Sequence, residues 1–148
     1  MKSRLSNAVL TMLLCTWGGA VYFLLEVVWK TFSGRPERIH WSMLVVAIVL
    51  SLALERGGAQ CPWEWSLPLQ ALVCTVLITA VEFVAGLILN VWLGLGIWDY
   101  SNLPLNFMGQ ICLWYSALWF VLSLVFIPVF DWLRYWAQGG ERPHYSFL

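Results

Sequence analysis

Residues 69–93 form a predominantly apolar run with Glu82 and Asn90 set inside it. A helix needs about 20 such residues to cross a hydrocarbon core about 30 Å thick. In lipid, only helices and closed barrels satisfy every backbone N–H and C=O. This one run therefore restricts the chain to a membrane fold, and three further runs point the same way. The sequence predicts an all-α integral membrane protein, a bundle of four transmembrane helices over residues 8–29, 39–54, 69–93 and 110–130. The whole chain, residues 1–148, reads as a single membrane domain.

The second run is the short one. It spans by recruiting Ile39 and His40 or with local thinning of the bilayer, or else is re-entrant. Residues 55–68 read as a loop, because Gly57, Gly58, Pro62 and Pro68 punctuate them. Residues 131–148 read as an interfacial tail. Its first part alternates aromatic and charged residues as far as Trp136, and its last part, from Gly139, reads as mobile. Pro128 falls near the end of the fourth run, where a kink is tolerated.

Charge supports this reading. Only 11% of the 148 residues are charged, against about 25% in soluble domains. The excess apolar surface finds its solvent in a lipid bilayer. Formal net charge is +0, which gives no basis for a nucleic-acid partner. The chain holds 11 Trp, and Trp29, Trp41, Trp65, Trp92, Trp132 and Trp136 fall at the edges of apolar runs. That is the placement expected for headgroup-level anchors. Lys2 and Arg4 precede a first run too long for a signal-peptide core, so it reads as an uncleaved helix. With four spans, Lys2, Arg4, Arg56, Arg134 and Arg142 share one side, and Lys30, Arg35 and Arg38 the other. Five against three places both termini in the cytoplasm. A three-span topology would separate the termini.

No enzyme signature is present. The sequence lacks a GxxxxGK[ST] phosphate loop and the GxSxG, HExxH and GxGxxG motifs. No catalytic residue, cofactor site or metal site is expected. Cys15, Cys74 and Cys112 lie in apolar runs and Cys61 in a loop, with no CxxC pair. His40 and His144 lie in a loop and in the tail.

The candidate site is a polar seam. Glu82 lies inside the third run, where a carboxylate costs a few kcal/mol and usually faces a partner or cavity. Gly86 and Asn90 follow at steps of four, on the same helix face. A glycine there permits close packing. Glu26 precedes Lys30 by four residues, the spacing of a helix ion pair. If the first and third helices pack, Glu26 and Glu82 line one seam, with Gly18 and Gly19 allowing close approach. Two readings remain open: a proton or substrate site, or a protonated Glu82 hydrogen-bonded between helices. The loop ahead of the fourth run adds Trp98, Asp99, Tyr100, Ser101, Asn102, Pro104, Asn106 and Gly109. Its composition favours Asx turns, and Asn106 is placed to cap the fourth helix. It reads either as a structured turn with aromatic anchors or as a docking surface or pathway mouth.

These residues carry a resemblance. Val81-Glu82-Phe83, Gly86, the run from Ile97 through Trp98-Asp99-Tyr100-Ser101 to Asn106, and Gly109-Gln110-Ile111-Cys112 resemble a bacterial membrane family described as ABC-transporter permease, type IV. Trp17-Gly18-Gly19 and Glu26 resemble that family's opening helix. The likeness runs over residues 18–119. An Arg-Gly-Phe-rich loop of longer members is missing, so the chain looks like a short variant of the Firmicute or mobile-element type. The resemblance implies a transporter-type subunit in a bacterial cell membrane, which moves a small solute or acts beside a separate ATPase subunit. Four helices make a small pathway, so a homo- or hetero-oligomer is expected. The alternatives are a non-transporting scaffold or regulatory module, and a small holin-like channel.

Overall fold

The computed structural model describes residues 6–148. Four helices make the fold: α1 (Asn7–Phe32), α2 (Ser42–Gln60), α3 (Leu67–Gly86) and α4 (Leu113–Gln138). All four are long and apolar enough to cross a membrane, α3 together with the turn that extends it. That extension is π-helical, Leu87–Trp92. A two-residue antiparallel ladder, β1 (Asn106–Phe107) on β2 (Ile111–Cys112), leads into α4. The chain runs up and down, so the 33–41 and 93–112 loops share one end of the bundle. Here this is the loop end. The terminal end holds the α2–α3 connection, the start of α1 and the end of α4.

Each helix boundary has a local cause. Ser6 caps α1 by accepting the Val9 N–H at 3.3 Å, one of the orphan donors of a helix start. α1 then packs along α2, where Gly19 faces the backbone of Ile48 and Gly18 faces Ser51 and Phe130. The glycine pair thus serves close packing, as its sequence pattern predicts. Pro68 sits in the first turn of α3, where its missing N–H costs nothing.

The second helix departs from expectation. It starts at Ser42, leaving Ile39 and His40 outside, and continues past Leu54 to Gln60. Nineteen residues give about 28 Å of helix, close to a full span. Gly57 and Gly58 are helical contact residues, not loop punctuation: a side chain at Gly58 would meet Ile127, and one at Gly57 would meet Cys74. The charge at Glu55, which reads as a span end, is accommodated inside the bundle by Arg134.

The tail also differs. α4 continues to Gln138, through Asp131 and Trp136. The last residues are tied back to the α2–α3 corner. The Leu67 N–H donates to Ser146 O at 2.8 Å, and the Tyr145 hydroxyl to Asp131 Oδ2 at 2.6 Å. The His144 ring stacks on Trp63. Lys2 and Arg4 lie outside the described residues, so the orientation argument that uses them rests on sequence.

The main core joins Leu14 of α1, Leu50 and Leu54 of α2, Cys74 and Ile78 of α3, and Trp119, Ile127 and Phe130 of α4. A second cluster joins Met43 to Ile97 and Trp98, and so packs the third loop on α2. Outward, Leu24, Val76, Val121 and many like them are exposed. A soluble monomer rarely shows apolar patches on that scale; lipid covers them at no cost. Trp29, Trp41, Trp92 and Trp136 are exposed at helix ends, as headgroup anchors should be.

Candidate functional site

Glu82 is only 6% exposed. Its carboxylate accepts the Tyr100 hydroxyl at 3.1 Å and the Trp119 indole N–H at 3.2 Å. Tyr100 comes from the third loop and Trp119 from α4, so one carboxylate joins three segments. Tyr100 stacks on Tyr115 with ring centroids 4.5 Å apart, and Trp119 packs on Tyr22 of α1 at 5.0 Å. Among the described residues, no cation forms an ion pair with Glu82. Burial, first, and the neighbouring carboxylate push the Tyr100 phenol up from its ordinary value, so it stays protonated as a donor.

Asn90 and Gly86 continue the site toward the loop end. The π-helical turn presents Asn90, whose Nδ2 donates to Gln110 Oε1 at 3.0 Å. Its Oδ1 accepts the Ile97 N–H at 2.7 Å. Gly86 leaves room for the same glutamine: a Cβ there would lie 2.5 Å from Gln110 Oε1 and 2.9 Å from Gln110 Cβ. The close approach predicted at Gly86 therefore admits a side chain rather than another helix backbone. Gln110 also accepts the Trp98 indole N–H on its carbonyl at 3.0 Å. In sequence, Gln110 opens the fourth span and belongs to the motif of the resemblance, but nothing there gives its side chain a partner. Its signal was a lone amide beside Gly109 at the mouth of an apolar run.

Glu26 lies elsewhere on the seam. It pairs with Lys30 at 2.6 Å, the spacing the sequence predicts. Lys30 also donates to Arg38 O at 2.9 Å and to Ile97 O at 3.2 Å, which uses all three ammonium protons. α1 reaches the Glu82 region through Tyr22 and Trp119, since its main packing partner is α2. The structure thus brings Glu82, Gly86 and Asn90 together with the third loop. Glu26 stands one aromatic layer away.

The loop motif is a hydrogen-bonded knot. Asp99 Oδ1 accepts the Ser101 N–H at 2.9 Å and the Ser101 hydroxyl, the expected Asx turn. These bonds hold the Asp99 carboxyl below the usual carboxylate range. Asn106 does not cap α4, which starts at Leu113 after Cys112. Asn106 instead donates to Leu103 O at 2.8 Å and Ser101 O at 3.3 Å, and accepts the Gly109 N–H at 3.1 Å. Gly109 has φ 69°, and a Cβ there would lie 2.9 Å from Asp99 Oδ1, so both its conformation and its space demand glycine. Asn102 and Pro104 are exposed on the outside of the turn. Asn106→Ala strands the Gly109 N–H and the Leu103 carbonyl. It should lower stability by about 2 kcal/mol, read as a lower thermal midpoint in detergent. Asn106→Asp, which keeps the acceptor, should lose about half as much. Equal midpoints for wild type and both variants would show that the knot contributes nothing.

A second polar cluster closes the terminal end. Arg134 Nε donates to Glu55 Oε1 at 2.8 Å, its Nη2 donates to the same oxygen, and Nη2 also donates to Thr11 Oγ1 at 2.7 Å. The side chains of Arg134 and Glu55 are 19% and 1% exposed. Read in sequence, Glu55 ends a span and Arg134 lies in the headgroup layer. Nothing local marks them as partners 79 residues apart.

A multi-pass helical membrane protein, with a buried carboxylate tied to a structured loop, is the class that this fold and site define. The chain belongs to the family described as "Putative ABC-transporter type IV", whose model matches residues 42–138. The match takes in α2, α3, the third loop and α4, including Glu82, the loop motif and Arg134. It extends further toward the C-terminus than the resemblance read from sequence, and it leaves out α1. No curated protein and no solved structure matches the chain. The family makes this an ABC-transporter-related membrane protein, and points to transport rather than catalysis.

Proposed function

We propose that the chain is the membrane subunit of a bacterial ABC-type transport assembly in which a separate subunit hydrolyses ATP. The observation that carries this is the bond from Tyr100 to Glu82. It links a structured surface loop to a carboxylate about 22 Å along α3 from Leu67, well inside the hydrocarbon core. Movement of the loop would change the partners of Glu82, and therefore the cost of its charge. Family membership supplies the transport context. In this reading ATP hydrolysis belongs to a partner, which fits the lack of a phosphate-loop motif in this sequence. The polar seam of one bundle is filled by its own side chains, so a pathway needs further copies or a second membrane subunit. Both termini face the cytoplasm in this reading, and all 148 residues form one membrane domain.

The test is purification of a tagged chain from native membranes in mild detergent, with mass spectrometry of co-purifying proteins. The expected result is a stoichiometric ATP-binding subunit. In that complex, Glu82→Gln should leave the subunits together but lower ATP hydrolysis about tenfold, a common size for coupling between sites. A lone oligomer without an ATPase would overturn the proposal. One observation favours a second reading, a non-transporting module in which the loop is only a latch: both Glu82 oxygens already accept bonds within the chain. Full activity in Glu82→Gln, with loss of folding in Asp99→Asn, would select that reading.

A further inference from the structure

The outer face of α4 carries an open cleft of about 380 Å³ lined by Pro128, Val129, Trp132, Leu133 and Trp136. That volume is within the usual range of about 300–1,000 Å³ for ligand sites. Pro128 has no N–H to complete the ladder and lies inside the helix, and the residues above it step along one helix face. With Leu113 at one boundary of the hydrocarbon core, Trp132 lies about 29 Å along the axis, at the opposite boundary. The cleft therefore runs from acyl-chain depth into the headgroup layer.

A cation lies against one of its lining residues. Arg142 lies with its guanidinium carbon 5.5 Å from the centroid of the Trp132 ring. The returning tail holds it there: Pro143 is buried, His144 stacks on Trp63, and Tyr145 bonds Asp131. Two of the nearby acids are engaged: Asp131 accepts from Tyr145, and Glu55 is held by Arg134. Glu141 is exposed, 3.9 Å from His144. Among the described residues, Arg142 has no carboxylate within ion-pair distance. An apolar slot and an exposed planar cation beside it match one amphiphile in chemistry and depth. Guanidinium is suited to phosphate, which it can bind through paired N–H donors.

We infer that this cleft is a binding site for an anionic phospholipid, with an acyl chain along Pro128–Trp136 and its phosphate on Arg142. The lipid ties the tail to α4 and reinforces the terminal end of the bundle.

Native mass spectrometry of the full chain, released from micelles holding equal amounts of phosphatidylglycerol and phosphatidylcholine of the same chains, tests this. The expected result is one retained phosphatidylglycerol per chain, favoured about tenfold over phosphatidylcholine, the factor that corresponds to one charge-assisted contact. Arg142→Gln should bring that ratio close to one, and Arg142→Lys should keep most of it. Val129→Trp, which fills the slot, should lower retention of both lipids. Equal retention by the wild type would overturn the inference, and so would a preference that survives Arg142→Gln. Displacement of the lipid by glycerol phosphate would overturn it too, since the acyl chain would then contribute nothing.

Discussion

Arg134→Met should destabilise the protein by about 3–5 kcal/mol, the largest loss expected of any single substitution here. The reason is what it leaves behind. The Glu55 side chain is 1% exposed, and Arg134 supplies its cation through two bonds to Oε1. Arg56 makes only a distant pair with Glu55, its Nε 3.9 Å from the other oxygen, and its own side chain is half exposed. Glu55 Oε2 has no hydrogen-bond partner among the described residues. Removing Arg134 therefore leaves a buried carboxylate with no hydrogen bond and only that distant cation, and Thr11 loses its donor as well. The double variant Glu55→Gln/Arg134→Met removes the stranded charge and should recover more than half of the loss. Reversible unfolding in mixed micelles would measure all three proteins. A single-variant loss below about 1 kcal/mol would mean that the pair behaves like a solvated surface bridge.

Gly19→Ala should cost about 2–3 kcal/mol, and Gly18→Ala about 1 kcal/mol, although the same methyl group is added to adjacent residues. A Cβ at Gly19 would lie 2.6 Å from Ile48 Cγ1, 2.8 Å from Ile48 N and 2.9 Å from Ile48 Cα. Two of those atoms are backbone, so relief requires α1 and α2 to move apart along their contact. At Gly18 the obstacles are Phe130 Cζ at 2.6 Å and Ser51 Oγ at 2.9 Å, both side-chain atoms, so the helix backbones need not separate. The same unfolding measurement compares the two variants. Equal costs would show that the helices separate as easily as the side chains rotate.

Much of this fold was legible in the sequence because lipid imposes a simple rule. A segment that must satisfy its own backbone and meet an apolar solvent has to be a long apolar helix, and composition alone locates it. The rule failed where partners lie far apart in the chain. Glu55 and Arg56 look like the end of a span because charge normally ends one, yet Arg134 allows the helix to continue. Gly57 and Gly58 look like a turn because glycine is common there, and they are instead the surfaces on which Cys74 and Ile127 pack. In the site, helical periodicity puts Glu82 and Gly86 one turn apart on α3, while Asn90 is carried by the π-helical extension. The Asx turn at Asp99 followed from local chemistry. The roles of Tyr100, Gln110 and Trp119 did not, because each depends on how a loop and a helix return to α3. Asn106 was read by the commonest use of its side chain and serves another.

The arrangement around Lys30 sets an order on assembly in the cell. Its ammonium is satisfied by Glu26, four residues back, by Arg38 just ahead, and by Ile97, which the ribosome adds 67 residues later. When α1 first enters the bilayer, only the first two partners exist. The α1–α2 hairpin can close at once through Gly18 and Gly19. Its loop end keeps an incompletely bonded cation until α3 has crossed and the third loop has folded back. Insertion of the early helices and completion of that end are therefore separate events in time. An error in the third loop would be felt at α1, by a nascent chain whose first half had already inserted correctly.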